Sequence, residues 1–253
     1  MSADLDALRG IIAPDRPGES LRAIRAAVAG RIAFTTSFGL EDQAITHLIV
    51  SQGLDIEIIT LDTGRLFPQT YDVWAATEAH YGVRIAAICP EAAELEVLVR
   101  RQGIDGFRES VEARMACCHV RKVAPLARAL TGASIWVTGL RADQSAARGG
   151  VETLTEDRTY GLLKFSPLAG WSREDAASFT TAHDVPVNAL HARGFPSIGC
   201  APCTRAVKPG EAERAGRWWW EQEGEGIASQ KECGLHVGAD GRLGRLNPVE
   251  ARP

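Results

Sequence analysis

The chain has 253 residues, 45% of them hydrophobic, enough for one large domain with a core of its own. Its formal net charge of -4 disfavours a general nucleic-acid binder, which carries a basic surplus, but leaves room for a small anionic ligand held by local Arg and Lys. The acidic N-terminus without an apolar signal region, and the lack of any apolar run of membrane-spanning length, predict a cytoplasmic protein with no membrane contact. In such a compartment its six cysteines read as metal ligands, catalytic groups or buried fillers, not as a disulfide framework.

In chain order, residues 1–30 read as a helical segment. "RIAFTTS" (31–37) is a strand that runs through "FGLED" into an apolar-periodic helix. "IEIITLDTG" is a second strand and "FPQTYDVWAATEAHYG" a second helix. "VRIAAIC" and "EAAELEVLVRRQG" repeat the pattern, and a helix over "CCHVRKVAPLARALTG" feeds the strand "SIWVTGLR". Apolar strands alternating with helices predict an α/β fold with a mostly parallel sheet flanked by helices. Beyond residue 150 the pattern weakens. "TYGLLKFSPLAGW" reads as extended, and "SREDAASFTTAHD" as a helix capped by Ser172 with Asp175 three residues on. The expected organisation is an N-terminal helical segment (1–30), an α/β domain (31–210) and a mobile C-terminal arm (211–253).

Three strand ends carry polar or glycine-bearing turns: "SFGLED", "LDTGR" and "TGLRADQS". In an open α/β sheet, ligands bind outside the carboxyl ends of the strands, so these turns are expected to line one crevice. "TTSFGLED" suits an anion at a helix N-terminus but lacks the ending of a Walker A loop. Asp62 and Thr63 could hold a ribose or simply cap the next helix. Arg141 and Arg148 flank Asp143, Gln144 and Ser145, and Arg214 and Arg217 precede three consecutive tryptophans. Arginine forks suit phosphate and sulfate oxygens, though solvated loops with surface ion pairs would read the same way.

Cys117–Cys118 and Cys200-x-x-Cys203 together supply four thiols. Adjacent cysteines are awkward for a zinc knuckle, while an iron–sulfur cluster tolerates unusual spacing because each thiolate takes a different iron; spacing alone favours the cluster, with zinc as the alternative. Cys89 ends a strand and is given no role. Cys233 in "KECGLH" sits beside charged residues, a setting that favours thiolate.

Taken together, "CCHVRKVAPL", "WVTGLRADQS", "VNALHARGFPSIGCAPCTRAV", "RAGRWWWE" and "KECGLH" resemble the assimilatory adenylylsulfate (APS) reductases, of the family that also includes the 3'-phosphoadenylylsulfate (PAPS) reductases. The similarity runs from about residue 30 to His236. It implies an adenine-nucleotide hydrolase-like, PP-loop fold and one 4Fe-4S cluster on Cys117, Cys118, Cys200 and Cys203. It also implies Cys233 as nucleophile, forming an S-sulfocysteine and releasing AMP, with thioredoxin or a glutaredoxin-like dithiol carrier then releasing sulfite. By the same resemblance Lys122 links cluster and substrate and His236 belongs to the catalytic motif. Arg141, Arg148, Arg214 and Arg217 meet the substrate; Thr36, Ser37 and Gly39 touch its phosphate; Asp62 and Arg65 lie nearer the nucleoside. A homo-oligomer, dimer or tetramer, is implied as well.

The chain departs from the family pattern at Phe38-Gly39, at "DQSAAR" and in the longer "QEGEGIASQ". Two alternatives accompany this reading. One is a PAPS or dual-specificity reductase on the same fold. The other is a zinc-stabilised nucleotide-binding module without chemistry.

Overall fold

The computed structural model describes residues 5–144, 150–221 and 233–235. A six-stranded sheet runs in the order β3-β2-β1-β4-β6-β5. Its strands are β1 (Arg31–Thr36), β2 (Glu57–Leu61), β3 (Ala86–Ile88), β4 (Ala133–Val137), β5 (Leu154–Asp157) and β6 (Leu162–Phe165). Every neighbouring pair is parallel except β5 on β6. The stretch read as extended (159–171) contains β6, a fifth parallel strand, and the antiparallel edge strand β5 lies just before it, outside that reading. Each of the two is four residues long, too brief to impose a visible period on the sequence.

The helices are α1 (Leu5–Gly10), α2 (Pro17–Ala27), α3 (Leu40–Ser51), α4 (Pro68–Tyr81), α5 (Ala92–Gln102), α6 (Val111–Cys118), α7 (Ala124–Ala129) and α8 (Arg173–Ala182). Their ends follow local chemistry. Pro17 and Pro68 open α2 and α4, where the missing N–H has no helical partner to lose. Gly82 closes α4 with φ +65°, a left-handed conformation glycine adopts without a Cβ clash. Ser172 and Asp175 form the expected reciprocal capping box on α8.

The main core lies where α2 and α3 cover β1 and β4, with Ile24, Phe34, Ile45, Ile135 and Phe165 all fully buried. A second apolar cluster, built on Ile59, Leu126, Leu130, Trp136 and Leu162, contains residues of α7. Among the described residues no helix is long and apolar enough to cross a membrane. The strand order reverses at β1, which has β2 on one side and β4 on the other. Chain segments leaving β1 and β4 thus diverge, and a crevice opens between them at their carboxyl ends.

Candidate active site

That crevice is a broad cleft open at the carboxyl ends of the strands. Its walls come from the loop after β1 (Thr36, Ser37, Phe38, Gly39), the loop after β4 (Thr138, Gly139, Leu140) and the segment Pro196–Gly199. Lys122, Arg214, Arg217, Trp218, Cys233 and Leu235 complete it. The β1 loop is shaped by Phe38, whose φ of +58° is a strained value for a residue with a Cβ. The strain is offset by complete burial of its ring, which stacks on Trp74 at 5.6 Å. Gly39 is the N-cap of α3.

Two carboxylates sequence reasoning passed over lie beneath this loop. Asp42 accepts from the Ser37 backbone N–H at 2.6 Å and from the Ser37 hydroxyl at 2.7 Å. Burial pushes its pKa up to about 6, with nearby Glu41 adding to the rise and the Ser37 hydrogen bonds opposing it. Gly139 passes so close to the Asp42 carboxylate that a Cβ there would collide with it. An acidic pair in the first turn of a helix reads as ordinary complement to the helix dipole, so nothing in the sequence marks these two as site residues.

Arg141, expected to meet the substrate, is held by carboxylates. It is fully buried and absent from the wall of the cleft. Its Nε donates to Glu41 at 2.6 Å, one terminal nitrogen donates to Asp143, and the other donates to both Glu213 oxygens at 3.2 and 3.1 Å. Three carboxylates occupy its fork, which joins the start of α3, the β4 loop and the segment carrying Arg214. Asp62 likewise accepts from its own turn, the Gly64 N–H, and from the Tyr71 hydroxyl, both at 2.8 Å. Arg65 lies over the Phe107 ring at 5.1 Å. Arg148 and His236 lie outside the described residues.

A second cavity lies behind the cleft. Cys117, Cys118, Cys200 and Cys203 all line it, with Arg65, Arg114, Arg121 and Phe107. Two local structures bring the cysteine pairs together. Between α6 and α7 the helix widens into a π turn, His119–Val123, directly after Cys118; such bulges re-aim side chains, and this one carries Arg121 and Lys122. Cys200 to Cys203 form one tight turn, with the Cys203 N–H donating to the Cys200 carbonyl at 3.0 Å. That turn is tied to the β2 loop, since the Ala201 N–H donates to the Arg65 carbonyl at 2.8 Å. Among the described residues no three His, Cys, Asp or Glu side chains meet closely enough to hold one ion. The thiols meet as walls of one cavity.

Lys122, Arg217 and Trp218 line both spaces and form the partition between them. Trp218 is clamped between the Arg114 and Arg217 guanidinium groups, 4.5 and 4.7 Å from its ring centroid. Gly199 makes room for Arg217, whose guanidinium occupies the space a side chain at 199 would need. Burial works against the Lys122 charge, yet attraction from Cys200, Cys233 and Cys118 leaves its pKa above the ordinary lysine value. Burial also opposes the Cys200 thiolate, but Lys122, the Thr63 hydroxyl at 3.3 Å, Arg217 and Arg121 outweigh it and lower its pKa. Arg121 Nε, Arg217 Nε and Trp218 Nε1 are buried nitrogens without hydrogen-bond partners. Four thiols, several cations and three orphaned donors around one cavity fit an anionic group that takes thiolate ligands and offers acceptor atoms.

The fold is an α/β fold of the PP-loop class, with a crevice at the carboxyl ends of β1 and β4. Structural neighbours agree on the fold. A phosphoadenylyl-sulfate reductase from Candida auris, in a phosphate complex, aligns with a TM-score of 0.67 at 23% identity, covering 82% of this chain and 99% of that one. Yeast FAD synthetase in complex with FAD aligns with a TM-score of 0.52 at 13% identity, covering 90% and 78%. The family model for the phosphoadenosine phosphosulfate reductase domain matches residues 31–206, and the chain belongs to that family. An adenosine 5'-phosphosulfate reductase of Sinorhizobium fredii (strain NBRC 101917 / NGR234) is 53% identical over 215 residues, 85% of this chain and 84% of the relative. One from Allochromatium vinosum is 51% identical over 205 residues, 81% and 78%.

Proposed function

We infer that this chain is an adenylylsulfate reductase, converting adenylylsulfate to sulfite and AMP. The reading rests on relatives of that name at about half identity over most of the chain. The observation that carries the site assignment is the partition of Lys122, Arg217 and Trp218, with the buried Cys233 on its cleft side and four thiols behind it.

The nucleotide takes the crevice outside β1 and β4, with its phosphate toward Thr36, Ser37 and Gly39. Its sulfate lies toward Lys122, Arg214 and Arg217, whose fixed cations meet the negative charge that develops on the departing AMP phosphate. The Cys233 thiolate attacks the sulfate sulfur; the S–O bond to the phosphate breaks, and AMP leaves with that electron pair. The product is Cys233–S–SO3⁻. A thioredoxin-like dithiol then attacks the Cys233 sulfur and sulfite departs. Its second thiol resolves the mixed disulfide, so the carrier is oxidised and Cys233 returns as thiolate. Both electrons come from the dithiol.

Cys117, Cys118, Cys200 and Cys203 would hold a 4Fe-4S cluster. When bound, that group supplies fixed charge behind the Lys122–Arg217 partition and acceptor sulfurs for the orphaned Arg121, Arg217 and Trp218 donors. We place the protein in the cytoplasm, with the part of 211–253 that follows the fixed Arg214–Trp218 segment as the arm that delivers Cys233.

The test is to mix air-free enzyme with sulfur-labelled adenylylsulfate and no dithiol. Label is expected on the peptide carrying Cys233, and none on a Cys233→Ser variant that keeps its iron. Label elsewhere, or none, overturns the assignment. Competition between adenylylsulfate and its 3'-phosphorylated form in the same assay reads nucleotide preference.

A further inference from the structure

Cys233 is only 7% exposed, packed among Cys118, Cys200, Cys203 and Trp218. A thiol so enclosed can meet a small substrate in the cleft, but a protein dithiol cannot reach it there. Something must seat the arm for the first half-reaction and let it go for the second. The residues beside Cys233 show how the seat is made. Gly234 adopts φ +85°, a conformation side chains rarely take, and the Met115 and Val123 side chains stand 3.7 Å from where its Cβ would be. Glycine makes this turn without the backbone strain that a side chain at that φ would bring. Leu235 follows, half-buried. It packs on the apolar cluster beside the sheet and on the cluster holding the cysteines, and is the only described residue belonging to both.

We propose that Leu235 is a positioning residue, an apolar plug that seats Cys233 against the cleft and whose release hands Cys233 to the dithiol. The proposal rests on Cys233 being the nucleophile. A leucine suits this task because its attraction is non-directional and scales with area. It holds the arm without a charged contact that would compete with the substrate for Lys122 or Arg217. Its partial burial keeps release within reach of a binding partner, since a two-state equilibrium moves only by the differential affinity a partner supplies.

The experiment uses the full-length, cluster-loaded protein with Leu235→Ala, Leu235→Gln and the conservative Leu235→Met. Three rates are read. The first is alkylation of Cys233 by iodoacetamide, located by peptide mapping. The second is single-turnover labelling of Cys233 by adenylylsulfate. The third is dithiol-dependent sulfite release from enzyme already labelled. For Leu235→Ala and Leu235→Gln, alkylation is expected to rise about tenfold, labelling to fall by a similar factor and sulfite release to hold or rise. Leu235→Met should restore wild-type behaviour. General damage to the fold would slow both half-reactions together, so the opposite signs are diagnostic. Unchanged alkylation in both disruptive variants, or equal slowing of the two half-reactions, overturns the proposal. Failure of wild-type Cys233 to take label refutes the nucleophile instead, and the alkylation rates still report whether Leu235 seats the arm.

Discussion

The Arg141 Nε–H donates to the Glu41 carboxylate at 2.6 Å, joining residues a hundred positions apart in the chain. Glu213, from a third segment, accepts from the same guanidinium. One buried fork thus holds the start of α3, the β4 loop and the segment that carries Arg214 and Arg217 in a fixed relation. Burial raises the Glu213 pKa, and Arg141 is the first influence opposing that rise.

Arg141→Ala should therefore be strongly destabilising. It leaves the buried Glu41 and the half-buried Glu213 without their cation, a loss of about 3–5 kcal/mol read by chemical denaturation. Arg141→Lys should recover only part of that, because a point charge cannot serve three carboxylates as a planar fork does. A large rise in KM with unchanged stability would instead mark Arg141 as a direct substrate ligand.

Asp42 predicts a particular pH dependence. Its pKa rises from an ordinary 3.8 to about 6 on folding, so the folded state holds the proton more tightly than the unfolded chain. The contribution of that proton to stability is complete below pH 3.8 and is lost as pH climbs to about 6. Compared with Asp42→Asn, the wild-type protein should lose roughly 3 kcal/mol across that window and stay level above it. Paired denaturation curves at stepped pH check the sign and the window.

Gly199→Ala tests the partition without touching a charge. A methyl group at 199 displaces the Arg217 guanidinium. Loss of one charge-assisted contact, about 1.5–3 kcal/mol, should raise KM for adenylylsulfate some tenfold or more while iron content stays at the wild-type level. Iron lost together with affinity would show that the turn at Cys200 itself had been disturbed.

Cys203→Ser tests the thiol cavity. Removing one of four ligands should bring iron and acid-labile sulfide down together, with loss of visible absorbance, measured on protein purified without oxygen. Zinc in place of iron in the wild-type protein, with no labile sulfide, would favour the zinc-stabilised module instead.

Much of this arrangement is legible in the chain itself. The period of β1 to β4 and of their helices predicts the parallel layers, because buried strands and amphipathic helices are local patterns. The four thiols and the KECGLH cysteine are visible as rare residue types at informative spacing. The β5–β6 hairpin is not, being too short for a period to register. Nor are the carboxylate partners of Arg141, because the residues that meet its guanidinium come from distant segments that no local pattern links.

By itself the sequence determined which groups exist and on which elements they ride: cysteine pairs at the end of α6 and in a tight turn, cations after β4 and before the tryptophans. Only tertiary structure decided what each one faces. Side-chain partners here come from segments 58 to 137 residues apart, as in Arg121 on the Thr63 carbonyl and Thr63 beside Cys200. Local periodicity carries no information at that range. The pairing emerges when the sheet order reverses at β1 and the segments packed around that crevice close on a common point.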